Sequence, residues 1–147
     1  MYKNALVCFL CLMIVSLLHI NATCKKQKSK QVEKITVGSG GGFTGVTKEY
    51  TIQKDGSVFF LQGPKKEAEG FGKISKKHLH EITKKSEQAD FQSLELNEPG
   101  NIYYYIEITE KGKNHRVSWS SQNSENGKKM QELYAYIMDI ILKSKKK

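Results

Sequence analysis

Few residues in this sequence have the types and spacing needed for chemistry. His78 and His80 are separated by one residue on a predicted helix, which sets their rings about 200° apart around its axis. One metal ion is clamped by histidines at i and i+4, so this pair lies on a solvated face. His115 stands alone beside Arg116, and His19 falls in an apolar N-terminal run. Serines crowd Ser118 to Ser124 without a nucleophile elbow or a Ser-x-x-Lys pattern around them. Cys8 and Cys11 share the apolar run, which leaves Cys24 as the lone cysteine after it. A lone thiol closes no internal disulfide and builds no thiolate metal site. The chemistry expected is binding, with neither a catalytic centre, a metal nor a cofactor.

The segment that stands out is Gly38-Ser39-Gly40-Gly41-Gly42-Phe43-Thr44-Gly45. Ordering glycine costs up to about 1 kcal/mol relative to alanine, so such a run implies positive φ or close backbone approach. It lacks the Lys-Ser/Thr pair of a phosphate loop and the spacing and following helix of a dinucleotide fingerprint. Two readings stay open. One is a wide turn between two strands. The other is a thin ribbon tipped by Phe43 that enters a partner's cleft, with Gly40, Gly41, Gly42, Phe43, Thr44 and Gly45 as the binding residues and the aromatic ring as anchor.

The elements that position this loop follow from periodicity. Val32 to Val37 is β-branched and stops at Gly38. Val46 to Lys54 places Val46, Tyr50 and Ile52 on one side, and Lys48 breaks the alternation, which suggests a twisted or edge strand. Lys54-Asp55-Gly56 then turns the chain into Val58 to Leu61, a hairpin signal. Gln62 to Lys73, with Gly63, Pro64, Gly70 and Gly72 among charges, reads as a mobile connector. Ser75 is an N-cap, Ile74 and Leu79 form a hydrophobic staple, and the helix they open ends near Asp90 or Phe91. Its apolar stripe of Leu79, Ile82, Ser86 and Ala89 is narrow.

After the turn Glu98-Pro99-Gly100-Asn101, the residues Ile102, Tyr104, Ile106 and Ile108 alternate with Tyr103, Tyr105, Glu107 and Thr109. Lys111-Gly112-Lys113 leads to Asn114–Ser120, with Val117 and Trp119 facing the core. A polar loop from Ser120 to Gly127 precedes a last helix whose Met130, Leu133, Tyr134, Ile137, Ile140 and Ile141 recur at helical spacing. The order β-β-β-α-β-β-α predicts an α+β domain: an antiparallel sheet of about five strands with two helices packed on one face. With Tyr104 inward, Tyr103 and Tyr105 stand together on the opposite face. There they are either covered by the connector or form an aromatic strip for a partner.

The amino terminus reads as a targeting signal. Lys3 precedes an apolar run from Ala5 to Ile20, charged then hydrophobic as in an export signal and short of the about 20 apolar residues of a span. Ile20-Asn21-Ala22-Thr23-Cys24 resembles a bacterial lipoprotein lipobox, with Asn21 and Thr23 departing from the usual residues. Acylation of Cys24 would anchor the protein in a membrane, and ordinary cleavage after Ala22 leaving a free or dimer-forming thiol stays open. The reading is a signal peptide over 1–23, a basic tether over 24–33, one domain over 34–142 and a basic tail over 143–147. The formal charge is +9, and Lys25, Lys26, Lys28, Lys30, Lys143, Lys145, Lys146 and Lys147 cluster outside the periodic part. They read first as solvated tails and second as attraction to anionic lipid headgroups. No nucleic-acid motif is present, and export separates the chain from such partners.

The Gly-Gly-Phe-x-Gly core within Ile35 to Gly45 and the order of elements resemble the emfourin family, small proteins that inhibit thermolysin-like metallopeptidases. The chain is also similar to uncharacterised lipoproteins of the Bacteroidota carrying Gly-Gly-Gly-Phe-Thr-Gly and a tyrosine-rich strand after Pro-Gly-Asn. Together these cover roughly Lys34 to Leu142. The resemblance implies that Gly41, Gly42, Phe43 and Gly45 match the family motif and that their loop belongs to the binding face. The export signal, the hairpin Val58 to Gln62 with its connector, and the basic tails are departures. The expectation is an exported, lipid-anchored, non-enzymatic binding protein of the bacterial envelope with a protein partner, a peptidase in the sharpest form. The alternatives are a structural envelope lipoprotein and a small-molecule carrier using the space between sheet and helices.

Overall fold

Alternating apolar residues become strands where a neighbouring strand satisfies their backbone, and the computed structural model, which describes residues 32–43, 45–63, 67–98, 100–120 and 124–145, has six of them. The strands are β1 (Val32–Gly41), β2 (Lys48–Gln53), β3 (Ser57–Gln62), β4 (Glu69–Lys73), β5 (Ile102–Glu110) and β6 (Lys113–Trp119). They form one antiparallel sheet in the order β4-β3-β2-β1-β5-β6. The sheet has six strands where the sequence suggested about five. The extra one, β4, comes from the presumed connector, and Lys48 opens an inner strand instead of marking an edge.

Register explains the core. Ile35 sits between Ile52 and Ile108, and Val37 between Tyr50 and Ile106. Val58, Val117 and Trp119 extend the same face. Two helices cover it. Helix α1 (Lys76–Gln88) contributes Ile82 and half-buried Leu79, and α2 (Glu125–Lys143) contributes Met130, Leu133, Ile137, Ile140 and Ile141. Each fully buried aliphatic side chain contributes about 1.5–3 kcal/mol, so the broad stripe of α2 dominates the narrow one of α1. Both helices are capped by serine: Ser75 accepts from the His78 N–H at 3.2 Å and Ser124 from the Gly127 N–H at 2.9 Å.

The space between sheet and helices is filled by Ile35, Val37, Ile52, Ile82, Ile106 and Ile137, all at 0% exposure. Phe91, also fully buried, starts a short 3-10 turn (Phe91–Ser93) and meets His115 edge-on at 5.2 Å. The chain then runs beside β6, where the Ser118 N–H donates to the Leu96 carbonyl and the Glu98 N–H to the Ser118 carbonyl. That bridge covers the last residues of an otherwise open edge.

The sheet has two distinct ends. At one, here called the turn end, β1 begins and the β2–β3 and β5–β6 turns lie. β4 passes there into α1, and Lys145 after α2 bridges to Gly72. At the other, the arch end, β1 passes through the glycine segment into β2. β1 starts at Val32, inside the segment read as tether, and Lys145 of the presumed tail is held against β4. Among the described residues no helix is long and apolar enough to cross a membrane.

Candidate functional site

β1 continues three residues past the expected stop at Gly38, because Gly38 and Gly40 are paired in the sheet opposite Tyr105 and Tyr103. Gly41 and Gly42 then take φ +95° and +74°, values open to glycine and costly for other residues. The Gly42 N–H donates to the Asn101 carbonyl at 2.6 Å, tying the loop to the start of β5. The Gly45 N–H, at φ +61°, donates back to the Gly42 carbonyl at 3.2 Å. The result is a closed turn fixed at both feet, with Phe43 as its first central residue. Thr44 lies outside the described residues, as does Cys24.

Phe43 is 107% exposed, as open as a side chain in an extended peptide. Val46 and Ile102 are also exposed at this end, and Ile102 Cγ1 lies 4.0 Å from where a Cβ on Gly42 would stand. Three uncovered apolar side chains therefore share the arch end. Most large aromatics of a folded domain are at least partly covered, so an uncovered ring on a tied turn is the informative case.

The two tyrosines share the face away from the helices, but their surroundings differ. Tyr105 is 3% exposed: its ring lies over Gly38, its hydroxyl donates to Glu49 Oε2, and the Arg116 guanidinium stacks 3.7 Å above the ring centroid. Burial, and then the Glu49 carboxylate, push its phenol pKa well above the ordinary value. Tyr103 is half-buried, 6.4 Å from Tyr105 between ring centroids. Arg116, and not the connector, covers Tyr105, and the described strand of the connector pairs at the far edge with β3. Tyr103 is thus the tyrosine closer to the arch and to solvent, whereas Tyr105 is a packed cross-strand pillar.

The same face also bears a groove of about 390 Å³ between Lys34, Glu49, Thr51, Phe59, Leu61 and Ala68. It was not singled out in the sequence, although four consecutive apolar residues, Val58 to Leu61, signal a strand apolar on both faces. His78 and His80 are exposed on α1, and a ring nitrogen of His115 is 3.1 Å from the Leu94 carbonyl. Among the described residues no group of three or more histidine, cysteine, aspartate or glutamate side chains is assembled. The geometry provides surfaces for contact: an apolar tip on a rigid turn, a half-open tyrosine below it, and a groove to one side. No protein-family model and no curated protein matches this chain.

Proposed function

We propose that this chain is an exported, lipid-anchored binding protein whose glycine arch seats Phe43 in a cleft of a protein partner. The supporting observation is the full exposure of Phe43 on a turn held by the Gly42–Asn101 and Gly45–Gly42 hydrogen bonds. A ring presented on a backbone already fixed loses little conformational freedom on binding, and an aromatic anchor in a pocket carries much of an interface's energy. Glycine on either side keeps the ribbon thin enough for a cleft. The partner class favoured by the Gly-Gly-Phe-x-Gly resemblance is a thermolysin-like metallopeptidase, inhibited by occupation of its cleft.

The test is titration of the domain from Val32 onward, which holds all six strands and both helices, into a purified thermolysin-like peptidase turning over a peptide substrate. Inhibition is expected, with Phe43→Ala weakening it by at least about thirty-fold, the loss of a binding hot spot, at an unchanged unfolding midpoint. Equal inhibition by Phe43→Ala removes the arch from the interface, and no inhibition by either protein removes this peptidase class.

A further inference from the structure

The fold gathers lysines that are distant in sequence at the turn end of the sheet. Lys54 sits in the β2–β3 turn, and Lys111 and Lys113 flank Gly112 in the β5–β6 turn. Lys73 closes β4 and pairs with Ser57 at the start of β3. Lys76 and Lys77 occupy the first turn of α1, which contains no acidic residue. Cations there work against the helix dipole, so they are not explained by helix stability. Lys143 and Lys145 arrive from α2, and Lys145 is fixed there by its bridge to Gly72.

All of these lysines are exposed. The acidic groups at this end are fewer than the lysines: Asp139 pairs with Lys143 at 2.6 Å, Glu81 with Lys77 at 4.0 Å, Asp55 accepts from the Ser57 N–H and hydroxyl, Glu33 accepts from the Gly112 N–H, and half-buried Glu110 lies opposite Lys113 in the β5–β6 pairing. Lys54, Lys73, Lys76, Lys111 and Lys113 form no ion pair among the described residues. Leu142, 54% exposed, stands beside Lys143 at this end of α2. The chain before Val32, which carries Lys25, Lys26, Lys28 and Lys30, joins the domain at the same end.

From these placements we infer that the turn end is a docking surface for an anionic lipid bilayer, independent of any role of the arch. Unpaired lysines around one exposed aliphatic side chain match headgroup phosphates with shallow apolar contact below them. Single-stranded nucleic acid would call for exposed aromatic rings to stack its bases, and the exposed aromatic Phe43 is at the opposite end. Ten residues of β1 separate the ends by roughly 30 Å, about four screening lengths at physiological salt. A domain seated this way points Phe43 away from the membrane.

The experiment is co-sedimentation of the domain from Val32 onward with vesicles of phosphatidylcholine containing 30% phosphatidylglycerol. Partition is expected at low salt, with release in 0.5 M sodium chloride and no binding to pure phosphatidylcholine. Each neutralised lysine removes about five-fold in partition. The combined variant Lys54→Gln, Lys76→Gln, Lys111→Gln, Lys113→Gln should therefore lose on the order of several hundred-fold, and the hairpin pair Lys111→Gln, Lys113→Gln about twenty-five-fold. Lys48→Gln with Lys128→Gln, far from this end, should stay within two-fold of the parent. Three outcomes overturn the proposal: no partition onto anionic vesicles, equal losses in the two sets of variants, or displacement from vesicles by duplex DNA at equal phosphate concentration. Circular dichroism establishes that each variant is folded.

Discussion

The ring of Tyr105 lies directly over Gly38 on the neighbouring strand, so close that a Cβ at that position would stand 2.5 Å from Tyr105 Cζ. The glycine lets the ring lie flat on the sheet, where Arg116 covers it and Glu49 accepts a hydrogen bond from its hydroxyl. Gly38→Ala should lift the ring off the sheet. The expected cost is about 1–3 kcal/mol, the usual range for overpacking. It is measured by chemical denaturation followed through Trp119, the sole tryptophan, which is 1% exposed. A variant as stable as the parent would show that Tyr105 is not held in this packing.

Gly38 also shows why part of the fold was hidden in the sequence. Read locally, it ends a strand. In the sheet, Gly38 and Gly40 are strand positions left empty for the tyrosines opposite, information carried by residues more than sixty positions away. β4 was concealed for a similar reason. Glu69-Gly70-Phe71-Gly72-Lys73 has no alternation, and the strand forms because β3 offers its edge and Phe71 packs on Tyr50 at 5.1 Å and Phe60 at 6.2 Å. What could be read were features decided within a few residues: the Asp55-Gly56 hairpin turn, the Ser75 cap, the Ile102 to Ile108 alternation and the apolar stripe of α2. The exposure of Phe43 belongs to this local class, since glycines provide nothing to cover a ring. The burial of Tyr105 does not, because Arg116 reaches it only across the pairing of β5 with β6.

Stability should respond to alkaline pH through the same tyrosine. The Tyr105 pKa is raised above the ordinary 10.0, first by burial and then by Glu49. The folded state therefore keeps its proton at pH values where the unfolded chain has lost it. This contribution is complete below pH 10 and disappears as pH rises from there toward the folded value. The denaturation midpoint should hold up to about pH 10 and fall as the pH rises above it. Tyr105→Phe should start about 1 kcal/mol lower at pH 8, for the lost hydrogen bond, and descend less steeply. Some slope will remain, because burial also raises Tyr50 and Tyr134. Parallel profiles for parent and variant would separate Tyr105 from the alkaline loss.

The two feet of the arch should tolerate change unequally. At Gly41, with φ +95°, an added Cβ would run into the Asn101 carbonyl, whereas Gly45, at +61°, has open space around it. Gly41→Ala combines backbone strain with a clash and should cost about 2 kcal/mol or more. Gly45→Ala carries only the left-handed penalty of about 1 kcal/mol. If Phe43 acts from a rigid arch, Gly41→Ala should also weaken partner binding beyond its effect on the folded fraction. The comparison needs both a melting curve and a binding isotherm, and equal stability losses in the two variants would remove the Asn101 contact from the account.

At the far edge of the sheet, β4 carries two glycines in unlike surroundings. Gly72 is buried where β4 meets the turn after α2: a Cβ there would collide with the Ser144 carbonyl, and Lys145 bridges back to Gly72 itself. Gly70, two residues earlier, is exposed with nothing near its missing side chain. Gly72→Ala should push the end of α2 off β4, uncovering the backbone of an edge strand that is otherwise available to pair with another chain. The expected loss is about 1–3 kcal/mol, accompanied by faster amide exchange at Phe71 and Lys73 and by concentration-dependent self-association. Gly70→Ala, an exposed change, should remain within about 0.5 kcal/mol of the parent. Hydrogen exchange separates the local effect from a global one: if β4 amides and core amides such as Ile106 accelerate by the same factor in Gly72→Ala, the end of α2 does not act as a local cover for this edge.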